Sequence, residues 1–128
     1  MHQTSAADVV RTFWRLMASN DFHSVRAVLA PAFVLEWPQS RERIRGGERF
    51  AQMNAEYPAQ GRWSFTLNRL VASATEVVTD VTVADSAQTA RAISFFEVRD
   101  GAITRIVEFW PEPYEPPGHR AHLVERLP

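Results

Sequence analysis

The chain has 128 residues, 45% of them hydrophobic, with a formal net charge of −1 and no Cys. That is enough for one domain with a core of its own, while the absence of Cys excludes disulfides, thiol nucleophiles and thiolate metal sites. Arg and acidic residues are interleaved along the chain, so there is no basic face for nucleic acid. The polar start Met1 to Asp8 carries no signal-like apolar run, and no stretch approaches the roughly 20 apolar residues of a membrane span. A cytoplasmic protein with no membrane and no nucleic-acid partner is expected.

In chain order, Val9, Val10, Phe13, Trp14, Leu16 and Met17 recur at helical spacing from Ser5 to Ser19, with Thr4 or Ser5 as N-cap. A second short helix is expected from His23 to Ala30, stopped by Pro31. Phe33 to Trp37 reads as a strand closed by Pro38, and the Arg-rich run Arg41 to Arg45 as a charged, exposed connection. Gly46 and Gly47 precede a third helix, Glu48 to Tyr57, with Phe50, Met53 and Tyr57 three and four apart. After Gly61 the pattern becomes a meander of strands over 63–72, 76–84, 89–98 and 102–110, its last turn marked by Asp100-Gly101. Helices first and strands afterwards predict an α+β fold, a curved antiparallel sheet wrapped by three N-terminal helices. Residues 111–128 form a Pro-rich arm of the same domain, expected to lie extended across the mouth of the site or a partner, because Trp110 and Tyr114 need burial.

The element order, with Asn20-Asp21-Phe22 ending the first helix, Ile44-Arg45-Gly46-Gly47 before the third, and Phe96-Glu97-Val98-Arg99-Asp100-Gly101 followed by Ile103, resembles the NTF2-like superfamily and its SnoaL-like members. The resemblance implies a cystatin-like cone around an apolar pocket. Its relatives include ketosteroid isomerases, polyketide cyclases, limonene-epoxide hydrolases and non-catalytic association domains, so fold alone does not choose a function. Where the isomerases have their two Asp and a Tyr, this chain has Trp37, Ser94 and Phe13, and the cyclase His also falls near Ser94. The Arg, Asp and Asp of the epoxide hydrolases fall on Val78, Asp80 and Glu108, with Phe109 and Trp110 following.

The residues alone direct attention to the same carboxyls. Asp80 stands mid-strand, where Asp is disfavoured, and Glu108 stands among large apolar residues. The functional expectation is that they face each other in the pocket as an acid/base pair, at least one with a raised pKa; the plain alternative is that Asp80 pairs with Arg69 or Arg91 on a solvated face. Alternation along a strand puts either Glu36 or Trp37 toward the pocket, without deciding which. Glu36, Trp37, Met53, Tyr57, Ser94, Phe96, Trp110 and Phe13 complete the candidate substrate-binding set. His119 and His122 lack further ligands, so no metal is expected, and no cofactor is called for. The leading reading is a small-molecule enzyme acting on an apolar oxygenated substrate as cyclase, isomerase or epoxide hydrolase. The alternative is a non-catalytic module holding a lipophilic ligand or mediating protein association. A homodimer through the convex sheet face is expected from Phe95, Val107 and Phe109, which alternation places together there.

Overall fold

The computed structural model describes residues 4–128. Helix α1 (Ala6–Ala18) begins at Ser5, whose hydroxyl accepts the Asp8 backbone N–H at 3.1 Å, and Asp8 places its charge in the first turn. Its apolar stripe Val9, Val10, Phe13, Trp14 and Met17 is buried. Asn20 ends the helical stretch in the left-handed region at φ 64, and its side-chain amide bonds both Trp63 N–H and Trp63 C=O at 2.8 Å, tying this corner to the start of the meander.

The second helix is a 3-10 segment, Phe22–Val28, and it ends earlier than expected because strand β1 (Leu29–Trp37) already begins ahead of Pro31. Pro31 is tolerated there because it lies in the gap between Leu29 and Val34 where pairing slips register, so its missing N–H costs no ladder bond. The charged run expected as a connection is instead an edge strand, β2 (Glu42–Arg45), which pairs antiparallel with β1. Its Arg and Glu side chains suit an edge exposed to water. Helix α2 (Gly47–Glu56) follows Gly46 at φ 88.

Strands β3 (Ser64–Ala72), β4 (Glu76–Ala84), β5 (Thr89–Arg99) and β6 (Ala102–Phe109) form the expected meander. The last turn has positive φ at both Asp100 and Gly101, the signature of a type I′ hairpin. Asp85 builds the β4–β5 turn: its carboxylate accepts Ala87 and Gln88 N–H at 2.8 Å and Gln60 N–H at 2.9 Å. Those backbone donors, Gln60's first, hold its pKa down at about 2.

The six strands run in the order β2-β1-β6-β5-β4-β3. The sheet is mixed rather than purely antiparallel, because β1 lies parallel to β6 while every other neighbouring pair is antiparallel. That follows from the chain path: β1 reaches β6 through a helix and four strands rather than through a hairpin. Helix α1 packs across β3, β4, β5 and β6, and α2 against β1 and β2, so one sheet face is covered and the other open. On the covered face Phe13 meets Trp14 and Phe96 edge-on at ring separations of 4.9 and 5.3 Å, and Phe33 meets Phe50 at 5.6 Å. No helix of the described residues is long and apolar enough to cross a membrane.

Two cavities lie along the open face of the sheet. One, of about 110 Å³, is lined by Val78, Phe95 and Val107 among others, and the other, of about 360 Å³, by Glu36, Trp37, Arg41, Arg43 and Arg105 among others. Neither is the enclosed apolar pocket expected inside the curve. The arm after β6 ends in a short 3-10 turn (Gly118–Leu123) and leaves Tyr114 77% exposed, so within one chain Tyr114 is not buried as expected.

Candidate active site

Among the described residues three polar ones are buried, Thr79, Ser94 and Glu108. They are not scattered. Thr79 of β4 pairs in register with Ser94 of β5, and Ser94 with Glu108 of β6, so the three form a line across neighbouring strands on the helix-covered face. Buried polar groups must be hydrogen-bonded, and each is. Trp14 Nε1 donates to Thr79 Oγ1 at 3.2 Å, and Ser94 Oγ donates to Glu108 Oε2 at 2.7 Å. Trp37 Nε1 and Trp110 Nε1 both donate to Glu108 Oε1, at 3.1 and 3.0 Å. Gln39 Oε1 accepts the Trp110 backbone N–H at 2.6 Å and so anchors the start of the arm beside the carboxyl.

Glu108 is 7% exposed, and all of its hydrogen-bond donors are neutral. Burial pushes its pKa up, and the donors Ser94, Trp37 and Trp110 pull against that without cancelling it. A carboxyl that favours its proton more than a free one, yet is well hydrogen-bonded when charged, can give and take a proton.

Asp80 does not join it. The buried positions of β4 are Val77, Thr79, Val81 and Val83, so Asp80 points to the open face, opposite Glu108. There it holds Arg91 through two hydrogen bonds of 2.7 and 2.5 Å, which with Asn68 and Arg69 keep its pKa low. The expected carboxyl pair is not formed, and the pairing with Arg91 foreseen as the plain alternative is what the fold builds. Replacing Asp80 by Asn is expected to change stability by less than about 1 kcal/mol, since Arg91 is largely solvated and such pairs are weak. Urea unfolding checks this. The contribution of the pair is present above the unfolded pKa of Asp and is lost as pH falls through the lowered folded one.

The other candidates divide in the same way. Trp37, not Glu36, turns to the covered face, in step with Phe33 and Leu35. Glu36 lies on the open face between Arg43 and Arg105, both hydrogen-bonded to it, and these lower its pKa. Phe13 and Phe96 are core rings, Met53 is partly buried against the core, and Trp110 reaches Glu108. Tyr57 is 58% exposed beside Trp63 and lies outside the site. Thr79 and the Trp14 bond to it were not foreseen. The available signal was period two: Thr79 between Val77 and Val81, and Ser94 between Ala92 and Phe96, interrupt apolar faces. Among the described residues no cluster of His, Asp or Glu is arranged to hold a metal ion.

Comparison with known proteins follows these lines. The SnoaL-like domain family matches residues 10–106. A solved structure from Kribbella flavida DSM 17836, titled "putative ketosteroid isomerase", is 35% identical, with a TM-score of 0.87 over 95% of this chain and 89% of that one. The solved structure of an M.tuberculosis LEH-like epoxide hydrolase is 26% identical with a TM-score of 0.68, covering 83% of this chain and 82% of that one. An NTF-2 like protein of unknown function from Burkholderia xenovorans LB400 shares the fold at 21% identity and a TM-score of 0.77, each chain 94% covered. No curated protein matches. By the family match across most of its length, the chain belongs to the SnoaL-like domain family, within the NTF2-like superfamily.

Proposed function

We propose that this protein is a small-molecule enzyme that uses Glu108 as a single acid/base group to move a proton on an uncharged, apolar carbonyl compound, with double-bond isomerisation as the reaction. One observation carries the reading: a buried carboxyl with a raised pKa whose partners are all neutral. A two-carboxyl mechanism is not supported, because Asp80 lies across the sheet. A single carboxyl suffices for isomerisation. Charged Glu108 takes the proton from a carbon beside the carbonyl, and the C–H electron pair moves into a new C=C as the carbonyl π pair moves to oxygen. The same carboxyl returns the proton to the far carbon of the dienolate and the carbonyl reforms, so protons and electrons balance with no other reactant. Trp37 and Trp110, partly buried against the core, both reach the carboxyl through their indole N–H groups. The name carried by the Kribbella flavida relative agrees with this reaction class.

The test is incubation with β,γ-unsaturated cyclic ketones in D₂O, followed by proton NMR. Migration of the double bond by the wild-type protein and its loss in Glu108→Gln is the expected result. A wild-type protein that binds such ketones without turnover would leave the second reading, a module that only holds a lipophilic ligand. That reading is favoured by both Glu108 oxygens having hydrogen-bond partners, as a purely structural buried group would.

A further inference from the structure

The two oxygens of Glu108 are not equivalent. Oε1 accepts two indole N–H groups, from Trp37 at 3.1 Å and Trp110 at 3.0 Å. A carboxylate oxygen offers two lone-pair sites, so Oε1 is saturated. Among the described residues Oε2 accepts only the Ser94 hydroxyl, at 2.7 Å, which leaves its second site without a donor from them. The donors differ too. An indole N–H only donates, so a proton on Oε1 would leave at least one buried indole without its acceptor, whereas a hydroxyl donates or accepts by rotating.

We propose that Glu108 gives and takes its proton through Oε2 alone, with Trp37 and Trp110 as positioning residues that hold Oε1, and with Ser94 reversing its hydrogen bond as the proton arrives. This rests on the proposed role of Glu108 and specifies the atom at which the substrate's acidic C–H must sit. It also narrows the substrate. The charged residues of the adjoining strands face away: Glu36 on β1, Arg91 and Glu97 on β5, and Arg105 on β6 lie on the open face. Asp8, Arg11 and Arg15 on α1, and Glu48, Arg49 and Glu56 on α2, are exposed to solvent. Among the described residues no cation therefore stands by Glu108 to neutralise an anionic substrate, and the site favours neutral molecules.

The arrangement is tested without any substrate, by following the indole N–H resonances of Trp37 and Trp110 in the wild-type protein while the Glu108 carboxyl is titrated. Both indoles are expected to stay hydrogen-bonded and protected from exchange in both charge states. Movement of either signal to a free-indole position on protonation would place the proton on Oε1 and overturn the proposal. In Trp37→Phe and Trp110→Phe the Glu108 midpoint should rise by roughly one pH unit, a tenfold gain in proton affinity, because each change removes a donor to the charged form. An unchanged midpoint in both variants would deny the tryptophans this role. Failure of the ketone assay, by contrast, would remove the enzymatic reading and leave these titrations intact.

Discussion

Glu108→Gln is expected to lower turnover by roughly 10²–10⁴-fold, the usual worth of an acid/base group, while making the fold more stable at neutral pH. Glutamine resembles the protonated carboxyl: its oxygen keeps both indole donors and its amide donates to Ser94 Oγ, so each of the three partners keeps a hydrogen bond to residue 108. The sign of the stability change follows from burial. A folded pKa raised above the unfolded value, about 4.3 for Glu, means that the wild type holds its full stability below the unfolded pKa and loses part of it as pH rises through the folded one. The Gln variant does not titrate and keeps that part. The advantage of the variant should therefore be clear at pH 8 and smallest near pH 4. Urea unfolding of both proteins at the two pH values measures it. A variant less stable than wild type at pH 8 would mean that the carboxylate is welcome where it lies.

Phe96→Ala should be a severely damaging truncation of the core, costing about 3–5 kcal/mol. Phe96 is 1% exposed and packs edge-on to both Phe13 and Trp14, at ring separations of 5.3 and 6.2 Å. It stands beside the polar line Thr79–Ser94–Glu108 on the same face of β5, so its loss also loosens the floor of the site. With total stabilities of small domains near 5–15 kcal/mol, the variant will be marginal in chemical denaturation. Its neighbour supplies the contrast. Phe95 points to the open face, 44% exposed and touching Phe109, and Phe95→Ala should cost about 1 kcal/mol or less in the monomer. Comparable losses at the two positions would contradict the assignment of faces.

The meander was legible because its signals are local. Alternation and turn residues such as Asp100-Gly101 set each strand to within a residue or so. The parallel β1–β6 pairing and the short edge strand Glu42–Arg45 were not legible, since non-local pairing and an exposed, charged edge leave no hydrophobic pattern. In the site, Glu108, Ser94, Trp37 and Trp110 were each picked out, but Asp80 was assigned the wrong face. Its environment depends on Arg91, on the facing strand, and a sequence shows that a mid-strand Asp needs a partner without showing whether the partner is a proton or an Arg. The tryptophans read as apolar wall because a sequence displays their rings and not the direction of their N–H groups.

The central claim is that Glu108 is a buried, proton-retaining carboxyl, and carbon-detected NMR titration of its side-chain carboxyl tests it most directly. The account predicts a midpoint clearly above the ordinary value of about 4.3, with no comparable rise at Asp80, which is held low by Arg91. A Glu108 midpoint at or below 4.3 would show that its three neutral donors outweigh burial, and would contradict its role as the proton-carrying group.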